Sequence, residues 1–388
     1  MDKLQIHSLG PIQEANITFG DLTLFVGPQA SGKSILLQLV KLLTDKTHIR
    51  KTLEQYGYVF ENDADKILER FFGEGMSAIW NDQTNIIFNT KQVKKKDLLA
   101  KRGPKNNEKE EETLFYVPAQ RVVCLQNGWP RFFTDFEDAV PFSLRQFSET
   151  LRQLLEKGMM DKNSDVIFPQ SQRLKKPLRD AFNESIFHDS SIVLDKTNKK
   201  RLKLSVGNSS LPFMAWSAGQ KEFMPLLLSF YWLCPASKVS KREDINYVVI
   251  EEPEMGLHPK AIKSVILQII ELLSRGYKVI VSTHSPVLLE FMWAYNFIKE
   301  NNGNKNMLFE LFDMPKNDVF AEVFDKLLSE KQLNTYYFDR KQHGVVVRDI
   351  SSLDAGNNDE AIADWGGLTS FSSKASVVVA KAVVAHEK

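Results

Sequence analysis

The chain is poor in cysteine, and the two it has, Cys124 and Cys234, lie too far apart in sequence to act as a metal pair. That excludes a disulfide-stapled fold and points to a reducing compartment. A membrane-spanning run is also missing: the nearest approach, Phe223–Ala236, is broken by Pro225 and reads as a buried helix. Met1–His7 has no apolar core of a signal peptide, so the expectation is a cytoplasmic protein without membrane contact. Charge of one sign is absent as well. Lys and Arg number 50 against 49 Asp and Glu, which excludes a broadly basic polyanion binder and leaves any nucleic-acid contact to a local patch. What remains is ordinary for a large globular protein: 43% apolar and 26% charged residues in a chain of 388, enough to bury one or two cores.

The most specific feature present is Gly27-Pro28-Gln29-Ala30-Ser31-Gly32-Lys33-Ser34, which fits the phosphate-binding pattern G-x-x-x-x-G-K-[ST] at every position. Leu22–Val26 reads as a buried strand feeding this loop and Ile35–Leu43 as the helix leaving it, which is the required context. Glycines at 27 and 32 let successive N–H groups turn inward, and the helix start adds its positive dipole end, so phosphate is the natural guest. Lys33 would reach the outer phosphates and the Ser34 hydroxyl would hold Mg²⁺.

Three further stretches follow in order. Tyr247–Pro259 runs from an apolar strand into Glu251, Glu252 and Glu254. A strand ending in acids beside a phosphate loop is a metal and water site, with Glu251 orienting Mg²⁺ through its water shell, Glu252 polarising the water that attacks the γ-phosphate, and Glu254 behind them. Tyr277–Pro286 is another buried strand, and it delivers His284, a candidate γ-phosphate sensor, to the same C-terminal sheet edge. Between loop and acids lies Trp216–Lys221, where Ser217 would cap the apolar helix Phe223–Cys234 and Gly219 would relax its first turn.

Taken in this order, the four motifs resemble those of ABC-class ATPases of the SMC-like and OLD-like branch, AAA-family ATPases of bacterial defence and DNA-maintenance systems. The resemblance covers residues 1 to about 300 and is sharpest in Glu251-Glu252-Pro253-Glu254 followed by Leu257-His258-Pro259. It implies that Ser217 and Gly219 belong to a signature motif. It also implies that Gln120, in Leu114–Arg121, marks the junction to a lid and touches the Mg²⁺ water shell, with Arg121 pairing with phosphate or acid; a strand exit with a solvated Arg121 reads equally well. Two positions depart from the commonest pattern: Glu251 stands where Asp is frequent, and Ala218 replaces a glycine. The implied mechanism has two heads sandwiching two ATP molecules, Lys33, Ser34, Gln120, Glu251, Glu252 and His284 of one facing Ser217 and Gly219 of the other, as a homodimer or higher homo-oligomer.

The expected fold is α/β: an ABC-type P-loop head with an N-terminal antiparallel β-subdomain, a compact, mostly helical lid between Gln120 and the signature, and a short C-terminal α/β tail. Residues 1–121 would form the first part of the head, with an insertion at 45–111, 122–210 the lid, 211–306 the rest of the head, and 307–388 a tail for docking or assembly. Phe19 could stack on adenine, though a core role fits it better. A lid this short, carrying Pro141, Pro169 and Pro177, cannot supply SMC-type coiled coils. Its basic clusters, Arg173, Lys175, Lys176 and Arg179, then Lys196, Lys199, Lys200, Arg201 and Lys203, suit solvated faces or DNA phosphates. In the tail, Met307–Phe312, Asn334–Arg340 and Val345–Ile350 read as strands and Val319–Ser329 as a helix, with no acidic string fit to hold two nuclease metals. The expectation is therefore an effector on a separate chain, a nuclease or toxin, in an anti-phage setting. A DNA-repair ATPase stimulated by duplex DNA is the alternative, and an ATP-binding scaffold without turnover is the third reading.

Overall fold

The computed structural model describes residues 1–59, 63–98, 111–157, 165–235, 241–354, 356–363, 365–368 and 374–381. The chain opens with β1 (Lys3–Leu9) and β2 (Ile12–Thr18), paired antiparallel with Leu9 opposite Ile12. β3 (Leu22–Val26) is buried at all five positions, as expected of a strand covered on both faces. It leads through the glycine loop into α1 (Lys33–Gln55), which reaches well into the stretch read as an insertion and kinks at Asp45. The kink has a cause: the Asp45 carboxylate accepts from the backbone N–H groups of Thr113 and Leu114 at 3.0 Å, and Lys41 pairs with it at 2.7 Å. α2 (Ala64–Phe72), β4 (Trp80–Phe88) and β5 (Lys91–Val93) follow, β4 pairing antiparallel with β1. Residues 99–110, with Lys101, Arg102, Lys105 and Glu108, lie outside the described residues. Phe19 is a core residue.

β6 (Leu114–Val117) ends at the lid. The lid contains the short β7 (Leu125–Gln126) and β8 (Trp129–Pro130), α3 (Phe142–Lys157), β9 (Val166–Phe168), α4 (Lys176–Phe182), β10 (Ser191–Asp195), β11 (Arg201–Val206) and β12 (Ser209–Pro212). β10 and β11 form an antiparallel hairpin with Ile192 opposite Leu204 and Leu194 opposite Leu202, and β9 and β12 extend it to four strands.

After β12 come α5 (Ala218–Leu233), β13 (Tyr247–Glu251), α6 (Pro259–Ser274), β14 (Lys278–Thr283) and α7 (Pro286–Glu300). α5 is not broken at Pro225 but runs through it. Then come α8 (Lys305–Leu311), α9 (Asp318–Glu330), β15 (Leu333–Lys341) and β16 (Gly344–Asp349). Met307–Phe312, read as a strand, is corrected to helix. Leu308, Phe309 and Phe312 are buried at helical spacing against α9, with Phe309 and Phe324 rings 5.0 Å apart, and Asn304 caps the start.

A ten-stranded sheet organises the molecule in the order β5-β4-β1-β2-β16-β15-β3-β14-β13-β6. β6, β13, β14, β3 and β15 run parallel to one another. Alternation along them feeds two cores: Leu24, Val26, Val248, Ile250, Val279 and Val281 join the lid, α5, α6 and α7 on one side, while Phe25, Val249 and Ile280 meet α1 on the other. The segment after residue 307 is therefore more than a docking tail. β15 and β16 fill the place between β3 and β2, and Phe338 packs edge-on against Phe25 at 5.4 Å. Ending the chain after Glu330 should strip β3 of a neighbour and abolish cooperative unfolding in a urea titration; a truncated protein that melts like the full chain would contradict this strand order.

Candidate nucleotide-binding site

Parallel register brings the functional ends together. Thr283 stands opposite Val26, Ser282 opposite Glu251, and Ile250 opposite Val117, so β3, β14, β13 and β6 all finish at one edge. That edge, where strands end and helices begin, is where open α/β sheets bind ligands.

The loop at 27–34 is built by close approach. A Cβ on Gly27, at φ 145°, would sit 2.9 Å from the Cβ and carbonyl oxygen of Phe338, and one on Gly32, at φ 91°, would sit 2.9 Å from Pro11 Cγ. Neither position admits another residue without displacing a neighbouring strand. Pro28, Gln29 and Ala30 are exposed at the tip, and Ser31 is buried. Lys33 lies back across its own loop, its Nζ donating to the carbonyls of Gly27 at 2.9 Å and Pro28 at 3.0 Å. Burial lowers its pKa, against the pull of Glu252, Glu254 and Glu251.

Glu251 is buried at the end of β13 and its Oε2 accepts from the Ala119 N–H at 3.2 Å. Burial raises its pKa, opposed by the hydroxyls of Ser34 and Tyr116, which lie against the carboxylate, and by the Ala119 N–H. Its Oε1 has no hydrogen-bond partner. A buried orphan carboxylate oxygen beside the Ser34 hydroxyl is a hard-oxygen donor set of the kind that suits Mg²⁺. Gln120 follows directly on Ala119 and is exposed.

Glu252 turns off the strand with φ 44°, a left-handed conformation unusual for this residue type, and its N–H is held by the Ser282 carbonyl at 2.9 Å. Its Oε1 lies 3.1 Å from His284 Nε2, and Lys33 Nζ lies 3.3 Å from the same nitrogen. One ring nitrogen can donate to the carboxylate or accept from the ammonium, not both, so the three groups share their protons. Burial and the charges of Glu254 and Glu251 push the Glu252 carboxyl up to about 7, with Lys33 opposing. Burial and Lys33 push His284 down, favouring the neutral imidazole. Glu254 Oε1 accepts from Thr283 Oγ1 at 2.6 Å and from the His284 N–H at 2.7 Å, which fixes the backbone that carries the imidazole.

The structure therefore brings Lys33, Ser34, Glu251, Glu252 and His284 to one place, with Gln120 at its margin. Ser217 and Gly219, at the start of α5, make no hydrogen bond to these groups among the described residues. Ser217 is exposed and forms a reciprocal cap with Gln220, both bonds at 3.2 Å. A Cβ on Gly219 would lie 2.8 Å from the Gly256 carbonyl oxygen. Arg121 is neither solvated nor aimed at phosphate: it is fully buried and donates to the carbonyls of Glu251, Glu252 and Glu222, each at 3.1 Å. Sequence reasoning missed this role, since backbone acceptors leave no residue signature, and also missed Thr283 and Tyr116. Most of the lid cations placed by the structure are engaged within the chain: Arg201 and Lys203 pair with Asp195 at 3.0 and 2.8 Å, Lys196 with Asp165, and Arg173 donates to the Tyr231 carbonyl.

The family described as an AAA domain, putative AbiEii toxin, type IV toxin–antitoxin system, matches residues 163–290, which hold the signature, the acid turn and His284. The Old nuclease of Escherichia phage P2 is 46% identical over 87 residues, 22% of this chain and 15% of that protein. This chain is similar to the SMC-like and OLD-like ABC-type ATPases. The match to the phage protein spans only a small part of that relative's length, and the relative's nuclease activity is not thereby transferred. Among solved structures, an SMC head bound to the C-winged helix domain of ScpA aligns over 90% of this chain and 96% of its own at 12% identity and a TM-score of 0.40. The SMC head domain from Thermotoga maritima aligns over 90% and 98% at 12% identity and 0.37. A dimeric bacterial ABC transporter cassette aligns over 74% and 90% at 10% and 0.34. Scores this low add no argument to the strand order.

The raised Glu252 pKa is a stability statement. Between the ordinary carboxyl value near 4.5 and about 7 the folded state holds a proton that the unfolded chain has lost, so stability falls as pH rises through that window and the penalty is complete above it. Glu252→Gln removes the penalty. It should stabilise the protein by about 1–2 kcal/mol at pH 8, screening discounted, and by little at pH 4.5, read from urea unfolding at both pH values.

Proposed function

We propose that this head binds ATP with Mg²⁺, pairs with a second copy across two shared nucleotides, hydrolyses the terminal phosphate, and by opening and closing switches a separate effector protein. The observation that carries this reading is the convergence of Lys33, His284 and Glu252 within 3.3 Å contacts at the mouth of the phosphate loop. The exposed Ser217 supports it from the other side, because its outward-facing cap is available to a second molecule.

The geometry supports a role for each residue. The inward N–H groups of residues 27–34 would cradle the phosphates, and Lys33 would exchange its own loop carbonyls for phosphate oxygens. Ser34, Glu251 and Gln120 would hold Mg²⁺, which supplies charge neutralisation at the phosphate oxygens when bound. Glu252 is placed to take a proton from water, with a pKa near the operating pH, as efficient general bases have. Neutral His284 can donate from Nε2 to a γ-phosphate oxygen once Lys33 has moved. Ser217 and Gly219 of the second head would close the site over that phosphate.

The work passed to an effector is limited by how much better ATP binds the closed pair than the open one. Moving a pair from about 1% to about 99% closed takes roughly a 10⁴-fold preference, about 5.5 kcal/mol. The defence setting, with a nuclease or toxin as effector, is supported by the toxin–antitoxin description of the family and by the nuclease name of the phage relative.

Light scattering on Glu252→Gln with and without Mg-ATP tests the composite site. The expected result is a doubled mass with ATP, absent in Lys33→Ala, which should lose phosphate binding. A persistent monomer that still binds ATP would sink the shared-site mechanism.

A further inference from the structure

We propose that Arg121 is a positioning residue that locks the first turns of α5 to the acid turn, so that engagement of Ser217 by a second head is felt at Glu252 of the same chain. The inference rests on the two-headed reading above and adds a connection between its two surfaces.

Arg121 follows Gln120 and is wholly buried. Its guanidinium spans two elements: Nε donates to the Glu222 carbonyl in α5, and Nη1 donates to the carbonyls of Glu251 and Glu252 at the end of β13, all at 3.1 Å. Nη2 points to the Pro253 carbonyl at 3.5 Å. A planar fork of five donors can tie these acceptors in one fixed geometry, whereas an ammonium at the same place cannot. The acid turn needs such a tie. Glu252 has φ 44°, a backbone state that persists only where its surroundings enforce it, and Arg121 holds that residue's own carbonyl.

A second contact joins the same two elements independently. Gly219 and Gly256 meet backbone to backbone, so closely that a Cβ at 219 would lie 2.8 Å from the Gly256 oxygen, while a Cβ at 256 would lie 3.2 Å from Glu222 Cγ. No side chain cushions the approach at Gly219, and a shift of α5 at its N-terminus must move the acid turn. The path is contiguous: Ser217 and Gln220 cap α5, Glu222 takes Arg121 Nε, Arg121 holds Glu252, and Glu252 touches His284. Ser217 acts on the partner's nucleotide in the proposed pair, and Glu252 acts on its own. Arg121 therefore links one site of the pair to the other.

The test is ATP turnover and binding of a fluorescent ATP analogue, measured on the full-length wild type, Arg121→Gln and Arg121→Lys. Wild-type turnover is expected to rise cooperatively with ATP. Arg121→Gln should bind the analogue within about threefold of wild type, lose roughly tenfold or more in kcat, and show a Hill coefficient near one. Arg121→Lys keeps a buried cation with fewer satisfied carbonyls and should fall between. The proposal is overturned if Arg121→Gln keeps the wild-type kcat and cooperativity, or if the wild type turns over ATP without cooperativity. It is overturned equally if binding, kcat and melting temperature fall together, or if neither variant folds, since Arg121 would then only hold the structure up. A wild type that binds no ATP defeats the functional reading itself, whereas cooperative turnover indifferent to Arg121 defeats this link alone.

Discussion

The parallel register of β3, β14 and β13 is the constraint on which the rest of this molecule depends. It sets the ends of three strands side by side, and so forces Lys33, Glu251, Glu252 and His284 into a space where they perturb one another. None of those perturbations is a property of a single residue. Glu252 holds its proton to about neutral pH because it is buried beside Glu254 and Glu251, and His284 loses its proton readily because it is buried beside Lys33. Such tension is tolerated because both faces of the strands are covered by apolar cores that no local rearrangement of the edge can release.

Around that edge the protein places two kinds of support. Backbone acceptors and donors hold the charged groups: Ala119 N–H on Glu251, Ser282 carbonyl on the Glu252 N–H, Arg121 on the carbonyls of the acid turn. Glycines supply the close approaches, Gly27 to β15, Gly32 to the β1–β2 turn and Gly219 to Gly256. The result is a cluster of Lys33, Glu252 and His284 at one strand edge, with Ser217 exposed at the start of α5.

Some of this was legible residue by residue. Fully buried parallel strands read as unbroken apolar runs, so Leu22–Val26, Tyr247–Ile250 and Lys278–Thr283 stand out, and each is followed at once by its polar group. Met307–Phe312 did not read correctly, because six mostly apolar residues carry too little periodicity to separate a buried helix from a strand. The insertion of β15 beside β3 was illegible for a different reason: more than three hundred residues separate Leu333 from Leu22, and nothing in either strand names its neighbour.

By itself, the amino-acid sequence determined which chemical groups this protein carries and the order in which they arrive. A glycine loop with its lysine and serine, a pair of strand-end glutamates, a histidine and a capped signature helix are local patterns whose spacing follows from backbone geometry. Only the tertiary structure decided which of them meet. It put the C-terminal strands in the middle of the sheet and gave Arg121 backbone carbonyls in place of phosphate. Those outcomes depend on long-range pairing and on carbonyl acceptors, which every residue possesses and no sequence pattern can distinguish.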